Sequence, residues 1–158
     1  MSKTLSYALE YREEGNAITE SIDISFVSNW ARREYYEQEQ IVSKLKSLYD
    51  ALQLEQDAIS DILDKSDDID TDIQPHKAKC DELGQELEDI MKIDIFKRRF
   101  ELVKEILTTN KIEEQKFYQF EFWDRCVEPQ TLADFILQCV TKDLIDANGK
   151  KKSIMAYR

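Results

Sequence analysis

Asp68, Asp70 and Asp72 stand at alternate positions in "DDIDTD", the D-x-D-x-D opening of a calcium-binding loop. Such a loop next needs a Gly for its sharp turn and a bidentate Glu at its twelfth position, and here those places hold Ile73 and Lys79. The run therefore reads as a solvated acidic turn, and no metal is assigned to it. General acid–base work would require one of these carboxyls to sit in a cleft that shifts its pKa, which an exposed turn does not provide. His76 is the one imidazole and follows Pro75; a nucleophilic triad needs an oriented base and acid around it, and no such partners are evident. Cys80, Cys126 and Cys139 are odd in number and widely spaced, without a CxxC pair, so they suit neither a zinc site nor a disulfide framework. They read as ordinary thiols, with Cys126 and Cys139 as core fillers. Three glycines, Gly15, Gly84 and Gly149, cannot build a loop that cradles phosphate. No catalytic, cofactor-binding or metal residue is assigned, and the expectation is a protein that is not an enzyme.

Charge narrows the choice of partner. The chain has 158 residues, 33 of them acidic and 22 basic, for a net charge of -11, which repels a phosphate backbone and argues against nucleic acid. Residues 50–91 alone carry 14 acidic and 3 basic groups, the whole of the imbalance, and should be solvated on most sides. Apolar runs fall far short of the roughly 20 residues that cross a bilayer, and "MSKTLSYALEYREEG" lacks the apolar core of a signal peptide. A cytoplasmic protein without a membrane partner is expected.

The elements that must position these residues begin with two period-2 segments. Leu5, Tyr7, Leu9 and Tyr11 alternate before "REEGN", and Ile18, Ile22, Ile24 and Phe26 alternate after it, which predicts a β-hairpin with one apolar face. A lone hairpin is marginal and must pack on something else. At "VSNWARREYY" the period changes; Ser28 or Asn29 can cap a helix, without the Glu or Gln that would complete a capping box. Ile41, Leu45, Leu48, Leu52, Ile59 and Ile62 then recur at four-three spacing, interrupted by Glu55, and predict a helix of about 35 residues with a narrow seam.

Pro75 and the aspartates of "DKSDDIDTDIQP" are expected to stop that helix in an acidic turn over 64–75. A second amphipathic segment, His76 to Met91, carries Cys80, Leu83, Leu87, Ile90 and Met91 as its stripe and should fold back along the first. Ile93, Phe96, Phe100, Val103, Ile106 and Leu107 line one face of the next helix, with Asn110 as its stop. After Pro129, the residues Leu132, Phe135, Ile136, Cys139 and Val140 form the stripe of a last helix. The fold class expected is mainly α with a small N-terminal β-hairpin: a long helical hairpin plus a C-terminal helical bundle. One domain over 1–145 is expected (1–27 hairpin, 28–91 long helices, 92–145 C-terminal helices), followed by a flexible basic tail, 146–158.

Aromatic stripes at helical spacing are usually core, which is the reading for Phe120, Trp123 and Phe135, with Phe96, Phe100 and Ile136 helping to hold the domain together. Phe122 is out of step and is expected as an exposed contact. The seam Ile41, Leu45, Leu48, Leu52, Ile59 and Ile62 is longer than a two-helix hairpin covers, so these residues and Phe122 are the candidate partner-binding set.

Two segments carry a family likeness: "IDISFVSNWARREYYEQ", and "RRFELVKEILTTN" with "FEFWDRCVEPQTLADFILQCVTKDL". Together, in this order, they resemble the tail assembly chaperones of long-tailed, siphovirus-type bacteriophages and prophages, particularly those of Gram-positive bacteria. The resemblance implies a small helical protein that binds the tape measure protein, keeps it soluble, helps recruit tail tube subunits, and self-associates. It implies residence in the host cytoplasm and absence from the mature virion. It also implies a longer frameshifted form, for which "GKKKS" at 149–153 could mark the slippery site. A structural virion adaptor or connector, and a host-directed inhibitor, are the competing expectations.

Overall fold

The computed structural model describes residues 4–143. Their order is β1 (Leu5–Glu13), β2 (Asn16–Ile24), α1 (Asn29–Lys65), α2 (Ile69–Met91), α3 (Ile95–Thr109), a 3-10 turn (Gln115–Tyr118), α4 (Phe120–Arg125) and α5 (Pro129–Thr141). The fold is mainly helical with an N-terminal hairpin, as the periodicities indicate. The expected tail 146–158, with its "GKKKS", lies outside the described residues.

Within the span 1–145, expected as one domain, the described residues form two compact units. The first comprises the residues up to Gln38 and those from Ile95 onward; the second is Glu39–Asp94. Helix α1 contributes to both: its first turns bury Ala31 and Arg32 in the first unit, and from Ile41 its apolar row is used within the second.

In the first unit β1 and β2 pair antiparallel from Leu5↔Ile24 to Glu13↔Asn16. The two-residue connection Glu14–Gly15 has φ of 52° and 80°, the doubly positive geometry whose twist matches the strands. The alternation puts Tyr7, Leu9, Tyr11, Ile22 and Ile24 on the buried face. That face packs with α3 (Leu102, Val103, Ile106, Leu107), Trp123 of α4 and α5 (Leu132, Phe135, Ile136, Cys139, Val140) in one core.

Polar clamps fix the connections. Ser28 caps α1, its Oγ accepting from the Ala31 N–H at 3.1 Å. Buried Arg32 donates to the carbonyls of Val27 (2.8 Å), Val140 (3.1 Å) and Lys142 (2.9 Å), closing the C-terminal end of α5 with a cation. Asn110 Oδ1 accepts from the N–H groups of Ser25 (2.7 Å) and Phe26 (2.9 Å), while its Nδ2 donates to the carbonyls of Phe26 and Ile106, both at 2.7 Å. The residue after it, Lys111, has φ 56°; its N–H bonds Thr108 O, and the Ile112 N–H bonds Leu107 O, which finishes α3 in a Schellman motif.

In the second unit, α1 and α2 run antiparallel, as shown by Lys44–Glu86 (4.0 Å) and Glu55–His76 (2.6 Å). The acidic turn expected over 64–75 is shorter than that. Helix α1 runs to Lys65 and α2 starts at Ile69, so Asp70 and Asp72 lie in the first helical turn. There the helix dipole favours carboxylates, so the charge block that seemed to oppose a helix helps to start one. Pro75, expected to break the chain, lies inside α2. Both Pro75 and Thr71, whose carbonyl loses its helical donor, are exposed, so water can satisfy that oxygen.

Candidate protein-binding surface

The residues of α1 from Ile41 to Leu63 carry two overlapping seven-residue patterns. The first is the expected seam. Its members face α2 within the hairpin: Leu48 is buried and Ile41, Leu45, Leu52, Ile59 and Ile62 are half-buried, opposite Ile73 and Leu83, both buried, and half-buried Leu87 and Ile90. Much of the row expected to await a partner is thus covered inside this unit.

The second pattern lies one position further around the helix and was missed. Val42, Tyr49 and Leu63 are 36%, 47% and 52% exposed. With Leu45, Leu52 and Ile59 between them, and Gln56 completing the repeat, they form Val42-Leu45-Tyr49-Leu52-Gln56-Ile59-Leu63, a strict three-four alternation. The signal was present in the sequence as the seven-residue interval from Val42 to Tyr49. It was hidden because Leu45, Leu52 and Ile59 belong to both rows.

Tyr49 donates from its hydroxyl to Met91 Sδ at 3.7 Å, and Met91 is 59% exposed, so the apolar strip continues onto the end of α2. On the opposite flank of α1 a groove of about 770 Å³ is lined by Ile41, Leu48, Ala51 and Ile90, with Gln40, Ser43, Lys44 and Ser47 around them. The hairpin therefore shows apolar surface beside its seam within a segment of strongly negative charge. Such a surface suits a helix presented by another chain, whose apolar stripe can occupy the strip while the carboxylates keep the pair hydrated.

Phe122, expected at the surface, is buried in the first unit. Its ring lies 5.0 Å from that of Tyr11, 5.4 Å from Phe117 and 5.3 Å from Trp123. Helix α4 is six residues long and follows a 3-10 turn, so the 3.6-residue phase used for the prediction does not carry through it. Consecutive Phe122 and Trp123 both turn inward, with Trp123 stacked on Phe135 at 6.0 Å and 12° and its Nε1 donating to Phe117 O at 2.7 Å. Phe120 is the ring that reaches the surface; it is 36% exposed, edge-on to Phe96 and Phe100.

The remaining candidates are dispersed. Asp68 immediately precedes α2, with Asp70 and Asp72 on it, and the Ser66 hydroxyl bonds Asp72. His76 and Cys80 are half-buried on α2, and Cys126 half-buried after α4. Cys139 is fully buried, which pushes its thiol up to about 12. Among the described residues no helix is long and apolar enough to cross a membrane, and no three His, Cys, Asp or Glu side chains converge as metal ligands. Protein-family models, curated proteins and solved structures contain no match to this chain.

Proposed function

We propose that this protein is a tail assembly chaperone of a long-tailed phage or prophage, which binds the tape measure protein through its acidic helical hairpin, keeps it soluble, and helps bring tail tube subunits to it. The observation that carries this reading is the exposed strip Val42, Tyr49 and Leu63, set in a three-four repeat beside the most acidic part of the chain. A holdase for long apolar helices needs both properties at once: a row that a client helix can cover, and like charge that opposes aggregation of the complex. The sequence likeness at both ends of the chain supplies the identity of the client. On this reading the protein works in the host cytoplasm, leaves before the virion matures, and self-associates through the same strip when no client is present.

Co-expression with the tape measure protein tests it. The wild-type chain should raise the soluble fraction of that protein. A Val42→Glu, Tyr49→Glu, Leu63→Glu triple variant, altered at exposed positions, should fold normally and lose the effect. Unchanged solubility of the client with the wild-type chain would remove the proposal. Finding the protein at stoichiometric amounts in purified virions would favour a structural adaptor instead.

A further inference from the structure

The hairpin offers a second surface that the chaperone reading does not use. In a hairpin closed by two residues, the pair flanking the turn is hydrogen-bonded, so Glu13↔Asn16 exchanges both bonds and every second pair below it does the same. The intervening residues, Ser6, Ala8, Glu10 and Arg12, then direct their N–H and C=O groups away from β2. Arg12 verifies this parity: its N–H leaves the ladder and meets Cys126 O at 2.9 Å. That contact closes one end of the edge. Among the described residues Ser6, Ala8 and Glu10 have no backbone partner on that side.

Beside this open stretch lies a groove of about 460 Å³, walled by β1 on one side and by the outer stripe of α5 on the other. The α5 wall consists of Gln130, Thr131, Asp134 and Gln138. Tyr7 fixes it in place, donating from its hydroxyl to Asp134 Oδ2 at 2.8 Å, and Gln138 Nε2 donates to the same carboxylate oxygen at 3.1 Å. Glu10 and Asp134 are the charged side chains lining the groove, and both are negative. A strand running from Ser6 to Glu10 spans about 13 Å, room for some five residues of extended chain.

We propose that the open edge of β1, facing α5 across this groove, is a docking site for an extended peptide segment of another protein, which adds as a third strand and places a lysine or arginine between Glu10 and Asp134. Main-chain bonds to Ser6, Ala8 and Glu10 would provide the pairing, and the two carboxylates the preference for a cation. The proposal is independent of the client bound by the helical hairpin and stands or falls without it.

The test is an amide-resolved titration of the isotopically labelled full chain with a blocked seven-residue peptide that alternates threonine and valine around a central lysine. Shifts should concentrate at Ser6, Ala8 and Glu10 and along 130–138. A glutamate-centred peptide should bind at least about tenfold more weakly, and a copy N-methylated at alternate residues should not bind. In the Glu10→Gln, Asp134→Asn double variant, which keeps the side-chain shapes, the lysine and glutamate peptides should become nearly equal. Shifts centred elsewhere, equal binding of the N-methylated copy, or equal binding of both charges to the wild-type chain would overturn the proposal. So would a concentration-dependent mass that Ala8→Pro abolishes, because the edge would then be taken by a second copy of this chain.

Discussion

Lys116 shows how one side chain can tie the hairpin to the elements beneath it. Its ammonium donates to Glu20 Oε1 and to the Tyr11 hydroxyl, both at 2.6 Å, and lies 4.8 Å from the centre of the Tyr11 ring. The hydrogen bond from Lys116, then that from Tyr11, holds Glu20 below the usual carboxylate range, and the same contacts hold Lys116 above the usual range of an amine. Both partners are about one-third exposed, so Lys116→Met should cost about 1 kcal/mol in denaturant unfolding at neutral pH. The sign follows from the two shifts. The Glu20 contribution is present above its ordinary pKa of 4.5 and is lost as pH falls through its lower folded value, whereas the Lys116 contribution persists until pH rises through its raised one. The difference between variant and wild type should therefore shrink in acid to what the Lys116 contacts with Tyr11 contribute. Cys139 gives a second check. With its thiol pushed up to about 12 by burial, it should resist a thiol reagent at pH 8 while Cys80 and Cys126 react, and should be labelled only on unfolding. Its place in the core was legible from the stripe Leu132, Phe135, Ile136, Cys139 and Val140. The place of Phe122 was not, because a short helix after a 3-10 turn resets the phase that such stripes depend on.

Helix α2 is the element in which local preference and observed structure conflict most plainly. Pro75 costs a helix interior up to about 3 kcal/mol, yet the helix continues through it because Ile73 and Leu83 on either side are buried and His76 meets Glu55 of α1 at 2.6 Å. Pro75→Ala should restore a hydrogen bond to Thr71 and slow amide exchange across 70–83, raising local stability by about 1–3 kcal/mol. Unchanged exchange would mean that α2 is limited elsewhere. The hairpin was readable because its period-2 runs are long and share a connection containing Gly15, and α3 because its stripe is continuous. The ends of α1 and α2 were not. Proline and a row of aspartates are breaking signals in isolation, and only tertiary packing and the position of the aspartates in the first helical turn reverse their meaning.

Across the whole molecule, burial and charge are unequally shared. The first unit holds a continuous core around Trp123 and Phe135, whereas in the second the buried apolar residues are Leu48, Ile73 and Leu83. The second unit also contains the whole of the 50–91 segment, where 14 acidic groups meet 3 basic ones. Raising ionic strength from about 0.01 M to about 1 M shortens the screening length from roughly 30 Å to 3 Å and should stabilise the second unit while leaving the first nearly unchanged. Exchange of amides in α2 against those in α3 reads the two separately; equal responses would contradict this division. The charge imbalance was plain in the sequence, but the boundary at Gln38 and Glu39 was not, since α1 crosses it without a change in helical pattern. The clamp at Asn110 has a consequence for ageing. Deamidation proceeds when the following backbone nitrogen attacks the side-chain amide, and here the Lys111 N–H is engaged with Thr108 while both ends of the amide are held. Folded protein should keep Asn110 intact for long periods. Once partial unfolding lets the ring close and reopen, the resulting carboxylate faces the carbonyls of Phe26 and Ile106, and the damaged chain cannot return to the same closure.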